Sequence, residues 1–190
     1  MQRSSSSSSA KNLCRKILYH GNQIQPTERR CDVFINHRGR DTKRNISGLL
    51  YDHLLRLKLN PFMDSKNMKP GDRLFDKIET AIGHCKVGVA VFSPHYSESY
   101  FCLHELALIM ESRKKVIPIF YDVKPSQLKV RDDGTFSNKD LQRFKWAIEE
   151  AKYTVGLKFD SLQGDWSDFL TKATDVVIEN LTEEDIINRE

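Results

Sequence analysis

Two stretches limit the fold more than any others: "KVGVAVFS" from Lys86 and "KVIPIFYDV" from Lys115. Both are apolar almost without interruption and far shorter than a bilayer span of about 20 residues. A strand with one wet face alternates polar and apolar residues. A strand with no alternation is buried on both faces, which points to a parallel sheet sandwiched between helices. "CDVFIN" and "NPFMD" read as further short strands and "GLKF" as a weak one. Pro118 inside the run from Lys115 is an objection, because proline has no donor for the ladder.

Helical stripes fall between these strands. Ile46, Leu49, Leu50, Leu54 and Leu57 share one face, with Asp41 or Thr42 expected as N-cap. Leu74, Ile78 and Ile82 follow one per turn. A helix from about Tyr100 to Ser112 carries Leu103, Leu106, Ala107 and Met110. Another spans about Asn138 to Tyr153. The last has Asp165 as N-cap and Leu170, Ala173, Val177 and Leu181 as its buried row. "SKNMKPGD" reads as a loop broken by Pro70-Gly71. Strand and helix alternate five times with short connections. That is a run of right-handed βαβ units, and the expected class is α/β, a flavodoxin-like doubly wound five-stranded parallel sheet with helices on both faces.

The boundaries follow from composition. Residues 1–29 carry a serine run and several Lys and Arg, with no acid until Glu28. Such a segment cannot bury enough apolar surface to offset its ordering entropy, so it reads as a disordered Ser-rich basic tail. The same composition also fits an organellar transit peptide. The folded domain is expected over residues 30–183, with 184–190 as a C-terminal tail. The four cysteines form no Cys-x-x-Cys pair, which argues for free buried thiols and against a disulfide scaffold or a metal site. A net charge of +4 attracts nucleic acid only weakly. With no membrane span in the sequence, the expected location is the cytoplasm.

In a doubly wound sheet, ligands bind beyond the carboxyl ends of the strands, near the switch in strand order. That rule gathers "HRGRDT", "DSKNMKPGD" and "SPHYSESYF" at one rim. No glycine-rich dinucleotide fingerprint, phosphate loop or nucleophile elbow is present. What remains there is an Arg-Gly turn, a Pro-Gly loop and one acid, Glu105, in "SYFCLHEL". Taken alone, an acid on such a helix is most often solvated, with Tyr100 and Phe101 as a terminal staple.

"CDVFINHRGRDTKRN", "PFMDSKNMKPGDRLFDKIETAI", "VAVFSPHYSESYFCLHEL" and "VIPIFYDVKPSQLK", in order and at the right intervals, resemble the plant-type Toll/interleukin-1 receptor (TIR) domain over about residues 30 to 181. The resemblance implies the doubly wound fold and, in enzymatic members, cleavage of the nicotinamide–ribose bond of NAD+ or NADP+. NAD(P)+ is then a substrate, and no cofactor or metal is expected. The family's catalytic glutamate, in its Cys-Leu-x-Glu-Leu motif, maps onto Glu105. Nicotinamide departs as a neutral ring, so one carboxylate suffices to hold the ribose and stabilise an oxocarbenium-like centre, unlike the carboxylate pair of ordinary glycosidases. Substrate-binding candidates are His37, Arg38 and Gly39 in the first rim loop and Ser99, Tyr100 and Phe101 before the acid. Arg38 suits the pyrophosphate, and the aromatic rings suit the departing base.

The resemblance also implies self-association between TIR domains, with Lys69, Pro70, Gly71 and Asp72 as the controlling loop, and other TIR proteins as further partners. Lys66, Lys69 and Asp72 are expected to pair outward. No phosphate loop or leucine-rich period follows within the sequence, which suggests a TIR-only form. Where the family usually has Ser-Phe-Arg-Gly-Glu-Asp, this chain has Asn36, His37 and Arg40 in place of the serine, phenylalanine and glutamate, and Phe101 replaces its tryptophan. These leave the rate and the choice between linear and cyclic ADP-ribose open. Lys124 replaces its aspartate, which bears on contacts between protomers. Two alternatives remain: a non-catalytic TIR–TIR adaptor, and cyclic-nucleotide synthesis from nucleic acid with Arg40 and Lys43 as contacts.

Overall fold

The structure is a computed structural model and describes residues 31–187. In chain order the elements are β1 (Val33–His37), α1 (Gly39–Thr42), α2 (Ile46–Arg56), β2 (Pro61–Phe62), α3 (Asp64–Asn67), α4 (Leu74–His84), β3 (Val87–Phe92), α5 (Tyr100–Glu111), β4 (Lys115–Tyr121), α6 (Asn138–Tyr153), β5 (Leu157–Phe159) and α7 (Trp166–Ile187). Single 3-10 turns fall at Tyr96–Glu98 and Pro125–Gln127. The strands form one sheet in the order β2-β1-β3-β4-β5, and every neighbouring pair is parallel. This is the expected flavodoxin-like sheet, with its switch point between β1 and β3. The expected tail 1–29 lies outside the described residues.

The unbroken apolar runs divide by the two-residue period of a strand. Val33 and Ile35 of β1, Val87, Val89 and Val91 of β3, and Ile117 and Ile119 of β4 pack with α2 and α7 on one face. Ala90, Phe92 and Phe120 face α5 and α6 on the other. Phe34 continues that second face toward α4, against Ile78, Ile82 and Ile109. Strands buried on both sides require apolar residues at every position, which is why alternation is missing from the sequence.

Pro118 costs the sheet little. It stands opposite Ala90 in the register with β3, while pairing with β5 begins one residue later, at Ile119. Its carbonyl oxygen lies only 2.5 Å from where a Cβ on Gly156 would stand. The proline therefore turns its donor-less side toward the margin of β5, where a glycine lets the backbones close.

Four local expectations are corrected. The N-cap of α2 is Asn45, whose Oδ1 accepts from Ile46 N at 2.6 Å. Asp41 and Thr42 belong instead to the separate turn α1. The Asp41 carboxylate reaches across to the loop after β3, accepting from Ser93 Oγ at 2.6 Å and His95 N at 3.0 Å. Leu49 and Leu57 are exposed, so the buried stripe of α2 is the narrower row Ile46, Leu50 and Leu54. The loop after β2 opens with the helical turn α3, where Asn67 Oδ1 accepts from Met63 N at 2.8 Å. The last helix runs past 183 to Ile187, and Asp185 pairs with Lys86 at 2.7 Å. As expected, Asp165 caps the start of that helix, its Oδ1 accepting from Asp168 N at 2.9 Å.

Two glycine substitutions test this packing. Gly156→Ala drives a methyl into the Pro118 backbone and is expected to destabilise by about 2 kcal/mol. Gly83→Ala, on α4 with nothing within 4 Å of the added methyl, is expected to stabilise by up to about 1 kcal/mol. Chemical denaturation of both variants checks the contrast; equal midpoints would contradict the proposed contact.

Candidate active site

β1 delivers Asn36 and His37 to the carboxyl rim beside the switch point, and α5 starts just after β3 at the same rim. Ser99 caps α5, its Oγ accepting from Cys102 N at 3.4 Å. The helix then turns Cys102 and Glu105, three residues apart, toward β1. Asn36 Nδ2 donates to Glu105 Oε2 at 2.8 Å and to Cys102 O at 3.1 Å. The Tyr96 hydroxyl contacts Asn36 Oδ1 and lies 3.1 Å from Cys102 O. Cys102 Sγ reaches His37 O at 3.3 Å. One strand end and one helix start are thus bound together by a buried polar cluster with Glu105 at its centre.

Glu105 is 6% exposed. Burial pushes its carboxyl up to about 8, the Asn36 hydrogen bond opposes that rise, and the charge of Asp64 adds to it. A buried carboxyl is usually paired with a cation, yet Glu105 forms no ion pair among the described residues. Perturbed acids of this kind concentrate at functional sites. Cys102 beside it is not a nucleophile, because burial pushes the thiol up to about 12 and the reactive form is the thiolate. Cys31, Cys85 and Cys102 are free buried thiols, and no cluster of metal-ligating side chains occurs among the described residues.

Glu105 opens on a cavity of about 340 Å³ whose walls include His37, Arg38, Gly39, Ser99 and Phe101. Five of the six substrate-binding candidates therefore meet around the acid. Tyr100 does not. Its ring stacks on His104 at 5.6 Å and packs edge-on against Phe144 at 5.5 Å, on the α6 side. Successive helical residues point about 100° apart, so Tyr100 and Phe101 cannot share one wall. Phe101 is 45% exposed and leans on Phe75 at 5.9 Å. Arg38 Nη1 donates to Ser99 Oγ at 3.3 Å. Its buried Nε has no partner among the described residues, so the guanidinium keeps capacity for an anion.

Lys69, Pro70, Gly71 and Asp72 lie outside the cavity on an exposed loop. Gly71 has φ of 98°, a conformation that favours glycine. Of the three charges expected to pair outward, Asp72 instead staples its own loop, accepting from Lys69 N at 2.9 Å. Lys66 sits 3.5 Å from Asp52 and over the Tyr51 ring. Of the three, Lys69 alone has a side chain with neither an ion pair nor a hydrogen bond among the described residues.

Sequence reasoning missed Asn36 and Asp64 as site residues. Asn36 carried a readable signal, a polar residue inside an apolar strand on the same face as Phe34. Asp64 joins the cavity only through the path of the β2–α3 connection, which no spacing reveals. Larger grooves exist, one of about 1070 Å³ beyond β4 and β5. Its walls carry the exposed Asp122, Lys124 and Lys158, with no buried acid, so chemistry favours the smaller cavity.

A flavodoxin-like sheet with a lone buried glutamate beside its switch point defines a narrow class of protein. Residues 31–185 match the TIR domain model, and the chain belongs to the TIR domain family. It is 49% identical over 166 residues to the probable 2' cyclic ADP-D-ribose synthase BdTIR of Brachypodium distachyon, covering 85% of this chain and 74% of that one. It is 36% identical over 168 residues to the disease resistance protein RPV1 of Vitis rotundifolia, covering 81% of this chain but 11% of that one. Among solved structures, the TIR domains of the activated Roq1 resistosome recognising the pathogen effector XopQ match with a TM-score of 0.66 and 28% identity. That match covers 77% of this chain and 98% of theirs. No helix among the described residues is long and apolar enough to cross a membrane.

The burial of Glu105 carries a stability signature. The folded carboxyl keeps its proton up to about 8, whereas the unfolded one releases it near 4.5. The native state is therefore penalised as pH rises through that window, and the penalty is complete above it. Glu105→Gln cannot ionise and escapes it. The variant is expected to match wild type below pH 5 and to be more stable by an amount on the order of 2 kcal/mol at pH 8. Urea melts across that range measure it; a difference that shrinks with rising pH would contradict the assignment.

Proposed function

We propose that the protein cleaves the nicotinamide–ribose bond of NAD+ or NADP+ and yields linear or cyclic ADP-ribose as a signal in plant innate immunity. The observation that carries this reading is a buried glutamate, held by a neutral donor and with no ion pair among the described residues, facing a cavity at the carboxyl rim. A nicotinamide riboside brings its own cation. The pyridinium charge favours the ionised form of Glu105, so the substrate supplies the partner that the protein withholds.

The bond between C1′ and the pyridinium nitrogen then breaks with its electron pair going to the ring. Nicotinamide leaves neutral, and the positive charge passes to the ribose. Glu105 binds the ribose hydroxyls and stabilises that charge. Water attacking C1′ gives ADP-ribose and a proton, while a hydroxyl of the same molecule attacking C1′ gives a cyclic product. The similarity to the probable 2' cyclic ADP-D-ribose synthase of Brachypodium supports the cyclic course. Phe101 offers a face to the departing base, and Arg38 is the cation for the pyrophosphate.

At about 340 Å³ the cavity sits at the low end of the roughly 300–1,000 Å³ of small-molecule sites. It suits the nicotinamide riboside end, and the remainder of the dinucleotide lies across the open rim. A site this open is screened by water. A second protomer set against the exposed loop around Lys69 and Gly71 supplies the missing wall; the resistosome of the Roq1 relative supports association itself.

Three measurements test the reading. Glu105→Ala is expected to reduce nicotinamide release from NAD+ at least about 100-fold; equal turnover by wild type and variant would refute it. For wild type, kcat/KM is expected to rise with pH and level off above about 8, following ionisation of the Glu105 carboxyl in the free protein. Specific activity is expected to climb with protein concentration, and Lys69→Glu to shift that climb to higher concentration. Lys69 is the better probe than Gly71, since any side chain at Gly71 also strains the backbone. Activity independent of concentration would show each protomer to be complete.

A further inference from the structure

The cavity contains a polar group that the proposed chemistry leaves unused. His37 occupies a position where phenylalanine is usual among plant-type relatives, and a phenyl ring needs no hydrogen-bond partner. The His37 side chain is 2% exposed and forms part of the cavity wall. Its Nε2 is buried and has no partner among the described residues. In the tautomer that carries its proton on Nδ1, the ring turns a bare Nε2 toward the cavity. Nε2 is then an acceptor. Burial holds the imidazole below its usual range and hence neutral.

Asp64 Oδ1 faces Nε2 at 3.9 Å. The separation is beyond hydrogen-bond reach, and two acceptors confront each other with no proton between them. A second acceptor so near a buried first one is unfavourable unless a donor lies between. Asp64 Oδ1 also accepts from Ser65 N at 2.5 Å, which leaves it room for one more donor, and its side chain is 44% exposed and lines the cavity. The group that satisfies this pair carries two N–H donors on one atom. A ribose hydroxyl has one donor and cannot bridge both. A primary amide nitrogen has two.

We infer that His37 and Asp64 form the recognition pair for the carboxamide of the nicotinamide ring, with the amide nitrogen donating to His37 Nε2 and to Asp64 Oδ1. The inference rests on the proposed cleavage of NAD(P)+ and adds to it the feature that selects the base. The amino group of adenine also carries two donors. The reactive C1′–N bond, however, must lie against Glu105 in the same small cavity, which places the nicotinamide end there. His37 is a specificity-determining residue in this arrangement. Glu105 acts on the ribose, while His37 and Asp64 fix the rotation of the ring that leaves.

The test compares NAD+ with 3-acetylpyridine adenine dinucleotide, in which a methyl group replaces the amide nitrogen and both donors are lost. The variants are His37→Phe, which restores the ring usual in the family, and His37→Gln, which keeps an acceptor. Taking the ratio of the two substrates within each protein cancels their different intrinsic reactivity. His37→Phe is expected to lower kcat/KM for NAD+ roughly tenfold, mainly through KM, and to change the analogue by less than about twofold. His37→Gln is expected to recover part of the preference. A ratio unchanged by His37→Phe, as water alone between the two acceptors would give, overturns the inference while leaving Glu105-dependent cleavage standing. Wild type as inactive as Glu105→Ala overturns the inference and the proposed function together.

Discussion

The hydrogen bond from Asn36 to Glu105 is the interaction on which the site depends. It joins the end of β1 to the first turns of α5 across 69 positions of sequence. Tyr96 and the Cys102 carbonyl close the cluster around it. Without Asn36, the Glu105 carboxyl would lose its side-chain hydrogen bond and keep the like charge of Asp64 against it. With it, the carboxyl is held in one orientation. A neutral donor fixes the geometry and leaves the carboxyl without an ion pair among the described residues, the feature on which the proposed function rests.

The rest of the fold supports this tie. Parallel strands β1 and β3 pair over five positions, from Val33 with Val87 to His37 with Val91, and bring their carboxyl ends level. Asp41 adds a clamp at the same level, binding the loop after β1 to Ser93 and His95 after β3. Below the rim, α5 is anchored by Leu103, Leu106, Ala107 and Ile109, all fully buried. Gly88 completes the fit, since a Cβ there would stand 2.8 Å from Ile109 Cγ2. The acid therefore sits on a rigid helix docked on a rigid sheet.

The cavity shows how four replacements act differently. His37 brings an imidazole whose outer nitrogen awaits a partner. Phe101 keeps an aromatic face at the mouth, half exposed beside Phe75. Arg40 puts a second guanidinium at the rim near Arg38, which suits an anionic dinucleotide. Lys124 lies elsewhere, in the groove beyond β4 and β5, and has no bearing on the acid.

The sequence by itself determined the architecture. Unbroken apolar strands can only lie inside a covered parallel sheet, and alternation with helical stripes sets the order of elements. It also singled out Glu105, Arg38, Gly39, Ser99 and Phe101, through motif resemblance and the rim rule. Tertiary structure decided the rest, because those questions turn on direction and distance between residues far apart in the chain. The 100° step of a helix removed Tyr100 from the wall. The reach of Asp41 to the loop after β3 took it from the cap of α2 and left that role to Asn45. The course of the chain after β2 brought Asp64 to within 3.9 Å of His37, a proximity that no local pattern encodes. Burial, a property of the assembled fold and not of any residue, made Glu105 a carboxyl that holds its proton near neutrality.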